Sequence, residues 1–150
     1  MRADLLAALI VEQACSDIRS GLLWLLKNGY DISDTDKLVN DVSTELESYR
    51  NKEKTYEMDK RIRHLRYVMS QLNKVNEVKT FFRGDWFQYL LSIVGREVSG
   101  EEVIHAQERI ALSAYERGSG LPKKGSHDNY IIERRGRNAK NNVEQRKRDD

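Results

Sequence analysis

The stretch SGEEVIHAQERIALSAYERG, Ser99 to Gly118, spells out a helix with both ends marked. Ser99 and Glu102 have the Ser-x-x-Glu spacing of a capping box. The hydroxyl accepts from a first-turn N–H, and the carboxylate accepts from the cap residue's own N–H. Val98 and Val103 occupy the two positions of a hydrophobic staple. Ile104, Ile110, Ala111, Ala114 and Tyr115 supply one apolar face, and Gly118 and Gly120 end it. The stretch sets the fold class as helical and marks where the folded body stops.

The rest of the body reads the same way. The only proline is Pro122, so nothing before Gly118 forbids a helix. Ala7, Val11, Ala14, Ile18, Leu22 and Leu25 recur at three- and four-residue steps, which predicts a helix from Ala3 to Asn28 stopped by Gly29. A second segment starts near Ser33, with Ser33 and Asp36 as a box-like pair, and carries Val39, Val42, Leu46 and Tyr49. Its stripe lapses over Asn51 to Thr55 and resumes out of phase as Met58, Ile62, Leu65, Met69 and Leu72. That run is heptad-like over only about two heptads, too short for a coiled coil, so a bundle seam is expected, and it permits a homodimer. A third segment holds Phe81, Phe82, Trp86, Phe87 and Tyr89, then Leu90, Leu91, Ile93 and Val94, with Gly84-Asp85 as a kink or a new start capped by Asp85. The expectation is an all-α bundle of about four helices.

Charge divides the chain at the same glycine. Residues 1–117 hold 17 Lys+Arg against 19 Asp+Glu, a net of −2, whereas 118–150 hold nine against five, a net of +4. Two regions follow: a helical bundle domain, 1–117, and a basic, flexible C-terminal tail, 118–150. A charged fraction of 33% suits amphipathic helices with solvated outer faces. Leu22 to Leu26 is far shorter than the roughly 20 apolar residues that span a bilayer, so no membrane partner is expected. Leu5 to Val11 lacks the cleavage site of an export signal. With a single cysteine, Cys15, the expected location is the reducing cytoplasm, the thiol buried and inert.

No catalytic constellation emerges, so a non-enzymatic binding protein without cofactor or metal is expected. His105 has Glu101 and Glu108 at helical spacing, a thin ligand set that a solvated helix face explains equally well. Phosphate-binding glycine loops, nucleophile elbows and Cys-x-x-Cys pairs are absent. A helix-turn-helix could be formed from Trp86–Val94 and Val103–Ile110, but its turn is about two residues too long, and Glu101, Glu102 and Glu108 would repel phosphate. Burial of Gln107 or Arg109 would exclude it.

Two cationic features point to nucleic acid. In the tail, Lys123, Lys124, Arg134, Arg135, Arg137, Lys140, Arg146, Lys147 and Arg148 lie in a Gly- and Asn-rich setting, as in basic segments that bind by counterion release. In the body, Lys52, Lys54, Lys60, Arg61, Arg63 and Arg66 cluster within fifteen residues, diluted by Glu53, Glu57 and Asp59, and Lys60, Arg63 and Tyr67 lie opposite the Ile62–Leu65–Met69 stripe as a phosphate-tracking ridge. The other class of partner is a protein complex, docked through Trp86 and Phe87 or through the apolar island Tyr130, Ile131 and Ile132.

The block Phe81-Phe82-Arg83-Gly84-Asp85-Trp86-Phe87-Gln88-Tyr89-Leu90 resembles a segment of small helical proteins encoded by bacteriophages and prophages of Gram-positive bacteria. The resemblance covers less than a tenth of the chain. It implies a mobile-element setting, in which small proteins regulate transcription or inhibit host machinery, and it identifies no functional residue.

Overall fold

The computed structural model describes residues 2–118. Among them are five helices and no strand: α1 (Ala3–Lys27), α2 (Thr35–Ser48), α3 (Tyr56–Arg83), α4 (Asp85–Val94) and α5 (Gly100–Arg117). Among the described residues no helix is long and apolar enough to cross a membrane. The expected flexible tail lies outside the described residues, apart from Gly118.

The all-α expectation holds, but the count is five because the second segment is two helices. The polar run from Asn51 is a loop in which Asn51 itself is left-handed (φ 63°). Thr55 then caps α3, its hydroxyl accepting from the Met58 N–H at 3.2 Å. The cap of α2 also differs by one residue from the expected Ser33. Asp34 accepts from the Lys37 N–H at 3.0 Å, while the Ser33 N–H donates to Asp31 in a local turn. Four successive cap-competent residues, Ser33 to Asp36, left that choice to the turn geometry.

Gly84 divides the aromatic block. α3 continues through Phe81 and Phe82, and α4 begins at Asp85 with Gly84 as its N-cap; Asp85 is the first helical residue, not the cap. At α5 the capping box is complete: the Ser99 Oγ accepts from the Glu102 N–H at 3.1 Å, and the Ser99 N–H donates to the Glu102 carboxylate at 3.2 Å. Gly118, left-handed at φ 66°, ends α5 as expected. Gly29 ends α1 in a Schellman turn, with Gly29 N–H to Leu26 O and Tyr30 N–H to Leu25 O both at 3.0 Å.

α1 is the central helix, packed against α3, α4 and α5, while α2 lies mainly against α3. Ala7, Val11, Cys15, Ile18, Leu22 and Leu25 form its buried stripe; Cys15 is fully buried where Ala14 was expected. α3 contributes Ile62, Leu65, Val68, Leu72, Val75 and Phe82, with Val68 in place of the half-buried Met69. Phe82 and Phe87 meet edge-to-face at 5.0 Å where α3 and α4 join the core.

Polar contacts fix α2 on α3. Arg61 grips Glu45 in a bidentate pair at 2.7 and 2.8 Å. Arg61's hydrogen bonds hold the Glu45 carboxyl below its usual range, against partial burial that pushes the other way. Its contribution is therefore present above the ordinary carboxylate pKa and is lost as pH falls through the lowered one. With side chains 45% and 33% exposed, solvent screening keeps it modest. At the other end of α2, the buried Lys79 ammonium donates to the Thr35 hydroxyl at 3.0 Å and lies 3.6 Å from Glu108, while Thr35 donates to Asn76 at 2.8 Å.

Candidate nucleic-acid interface

α3 buries one side and leaves the other to solvent. Because Ile62, Leu65, Val68, Leu72 and Val75 face inward, Lys60, Arg63, Tyr67, Ser70 and Lys74 form the outward row, at alternating steps of three and four. Arg66 and Asn73 flank it, and all seven are exposed. The row spans roughly 21 Å at the helical rise of about 1.5 Å per residue.

Its electrostatics are one-sided. No acidic residue occurs between Lys60 and Lys74; Asp59 and Glu77 bound the run. Lys60, Arg63, Arg66 and Lys74 form no ion pair with any described carboxylate, whereas Arg2, Arg50, Arg61, Lys79 and Arg83 are each tied to one. Arg61 thus leaves the basic run to serve α2. The Lys60 ammonium lies 5.3 Å from the centroid of the Tyr56 ring.

α1 and the turn after it brace the middle of this face. Trp24 packs edge-to-face with Tyr67 at 4.8 Å and lies 6.4 Å from the His64 ring. Tyr30 also stacks on His64, and its hydroxyl shares a 3.1 Å hydrogen bond with His64 Nε2. Tyr67 keeps 51% of its surface exposed despite this contact.

The other expected sites divide. Trp86 is 55% exposed and stacks on Tyr89 at 5.4 Å, so it remains available to a partner. Phe87 is not a docking residue: it is fully buried against Phe81 and Phe82, because its place one step from Trp86 turns it toward α3. Gln107 is also fully buried, which excludes the helix-turn-helix, since α5 spends on the core the face that would have read bases. Glu101 and Glu108 approach opposite nitrogens of His105, at 3.9 and 3.5 Å, and are engaged by Arg83 and Lys79. They do not converge on one point, and no described group of three potential ligands could hold a metal ion. The expected tail contacts, Lys123 through Arg148 and Tyr130 to Ile132, lie outside the described residues.

No family model, curated protein or solved structure matches the chain. The face of α3 is therefore read from its own chemistry.

Sequence reading missed Tyr56, Asn73 and Lys74 as members of this face, although the 60–63–67 spacing extends directly to 70 and 74 and back to 56. It also missed buried Lys79. The steps Leu72, Val75, Lys79, Phe82 place that residue on the apolar stripe, which was the available signal.

Cys15 is confirmed as buried, and burial pushes its thiol up to about 12, opposed by the nearby Arg19 charge. Near neutral pH the thiol therefore stays protonated and unreactive. Ellman's reagent is expected to leave the native protein essentially unmodified and to titrate one thiol at once in denaturant. Rapid native labelling would show that α1 opens far more often than its packing implies.

Proposed function

We propose that this is a small non-enzymatic protein that binds nucleic acid through the cationic outer face of α3 together with the basic C-terminal tail. One observation carries the reading: four cations without carboxylate partners share a single 60–74 face that contains no acid, in a body where acids outnumber bases. Lys27, Lys37, Lys52, Lys54 and Arg109 are exposed cations without an ion pair to a described carboxylate as well, so what sets α3 apart is the alignment of its cations on one acid-free row. Leaving four of them bare on one stripe favours a polyanionic ligand, whose binding releases counterions. A regulatory role in a mobile-element setting belongs to this proposal through the Phe81–Leu90 resemblance alone.

Full-length protein titrated onto a labelled oligonucleotide at several salt concentrations tests it. Affinity should fall steeply with salt, and the K60Q/R63Q/R66Q/K74Q variant should flatten the log–log slope by about 3. Affinity near 100 mM salt should drop by about tenfold or more on the same account. Absence of binding, or binding without a salt slope, overturns the reading. Parent-like binding by the variant would remove α3 from the site and leave the tail.

The exposed stack of Trp86 on Tyr89 favours a second reading, a protein-interaction module that regulates or inhibits a larger complex. Exposed paired aromatics are common anchors in such interfaces.

A further inference from the structure

The cationic face of α3 contains an aromatic side chain whose placement narrows the ligand. We propose that the nucleic acid held there is single-stranded and that Tyr67 stacks on one of its bases; this rests on the nucleic-acid reading above. Tyr67 lies on the outward row, one turn from Arg63 and adjacent to Arg66, with Lys60 and Lys74 farther out on either side. Phosphates tracking the four cations would carry bases past this ring.

Three observations fit stacking. Tyr67 is 51% exposed, a large aromatic residue presented to solvent in the middle of a charged row. Its contact with Trp24 is edge-to-face at 4.8 Å and 64°, an arrangement in which Trp24 covers at most one face of the Tyr67 ring. Trp24 is half-buried in the α1 packing, so the contact holds the ring in place and lowers the entropy lost on binding. Tyr56 repeats the motif eleven residues earlier, 69% exposed with Lys60 against its ring. Alternation of cations with aromatic platforms is how proteins bind unpaired strands, whose bases offer a free π-face. A duplex hides those faces within its stack and gives a projecting tyrosine only its hydroxyl to use.

The test compares full-length protein on three labelled 20-mers at one salt concentration: oligothymidylate, oligouridylate and a mixed-sequence DNA duplex. Single strands should bind at least about tenfold tighter than duplex, and the ratio of the first two tells DNA from RNA. Tyr67→Ala should weaken single-strand binding by about tenfold with the salt slope unchanged, while Tyr67→Phe, which keeps the ring, should stay within about twofold. In a Trp86→Phe background, bound single strand should quench Trp24 fluorescence. Duplex binding equal to single-strand binding overturns this inference and leaves the nucleic-acid reading standing. Parent-like binding by Tyr67→Ala also overturns it, as does equal weakening by Tyr67→Phe, which would assign the hydroxyl to phosphate. Failure of every oligonucleotide to bind overturns both.

Discussion

Gly100→Ala is expected to destabilise the fold by about 3 kcal/mol, enough to lower the melting temperature by roughly 10 °C. Gly100 opens α5 and is buried against the end of α3. A Cβ built there would overlap the Phe82 carbonyl oxygen and lie 2.7 Å from its carbon and 3.3 Å from the Arg83 nitrogen. These are backbone atoms of a helical last turn, so no rotamer change relieves the clash and the two helix ends must separate. Separation would also loosen the ion pair between Arg83 and Glu101 and open the core beside Phe82. The helix preference of alanine over glycine recovers about 1 kcal/mol at most, too little to offset the overlap. Gly21→Ala is the milder comparison: its Cβ would lie 2.7 Å from the Val75 Cγ2 methyl and 4.0 Å from Gln71, so a buried β-branched side chain must shift but no backbone atom is overlapped, and the cost should be smaller than at Gly100. Thermal and urea unfolding of both variants would check this. An alanine at 100 that melts within about 2 °C of the parent would show that the α3–α5 approach is looser than described.

What could be read in the sequence follows from how local each signal is. The Ser99–Glu102 box and the stops at Gly29 and Gly118 are set by residues within one turn of each other, and all three appear where expected. The division of α2 from α3 depended on whether a polar run would stay helical, and Asn51 in a left-handed conformation decided it. The close approach at Gly100 depends on where α3 ends in space, so no spacing rule could reveal it. The cationic row was half visible: Lys60 and Arg63 stood out, but the departure of Arg61 required the fold to bring Glu45 alongside it. The aromatic block was harder still. Phe87, Leu90 and Leu91 set a buried face, but Trp86 also stands one turn from Leu90, so periodicity alone did not determine which large ring points outward.

That ambiguity yields the second large effect. Phe87→Ala is expected to cost about 3–5 kcal/mol, because it empties a fully buried ring site that neighbouring helices cannot readily collapse into. The ring is held edge-to-face by Phe82 at 5.0 Å and by Phe81 at 5.7 Å, and both partners lose contact surface at once. Against a total stability of about 5–15 kcal/mol for a domain of this kind, the loss brings the body close to unfolding at physiological temperature. Trp86→Ala removes a larger side chain from the next position, yet should change stability by less than about 1 kcal/mol, since more than half of that side chain is already in water and its main neighbour is the exposed Tyr89. Urea midpoints of the two variants should therefore separate widely, with the smaller deletion the more damaging. Equal midpoints would mean that α4 is rotated about its axis from the described orientation. Because Trp86→Ala keeps the fold, it is also the variant that separates the two readings of function: loss of a protein partner with oligonucleotide binding intact would place that partner on α4, whereas loss of neither would leave α3 as the working face.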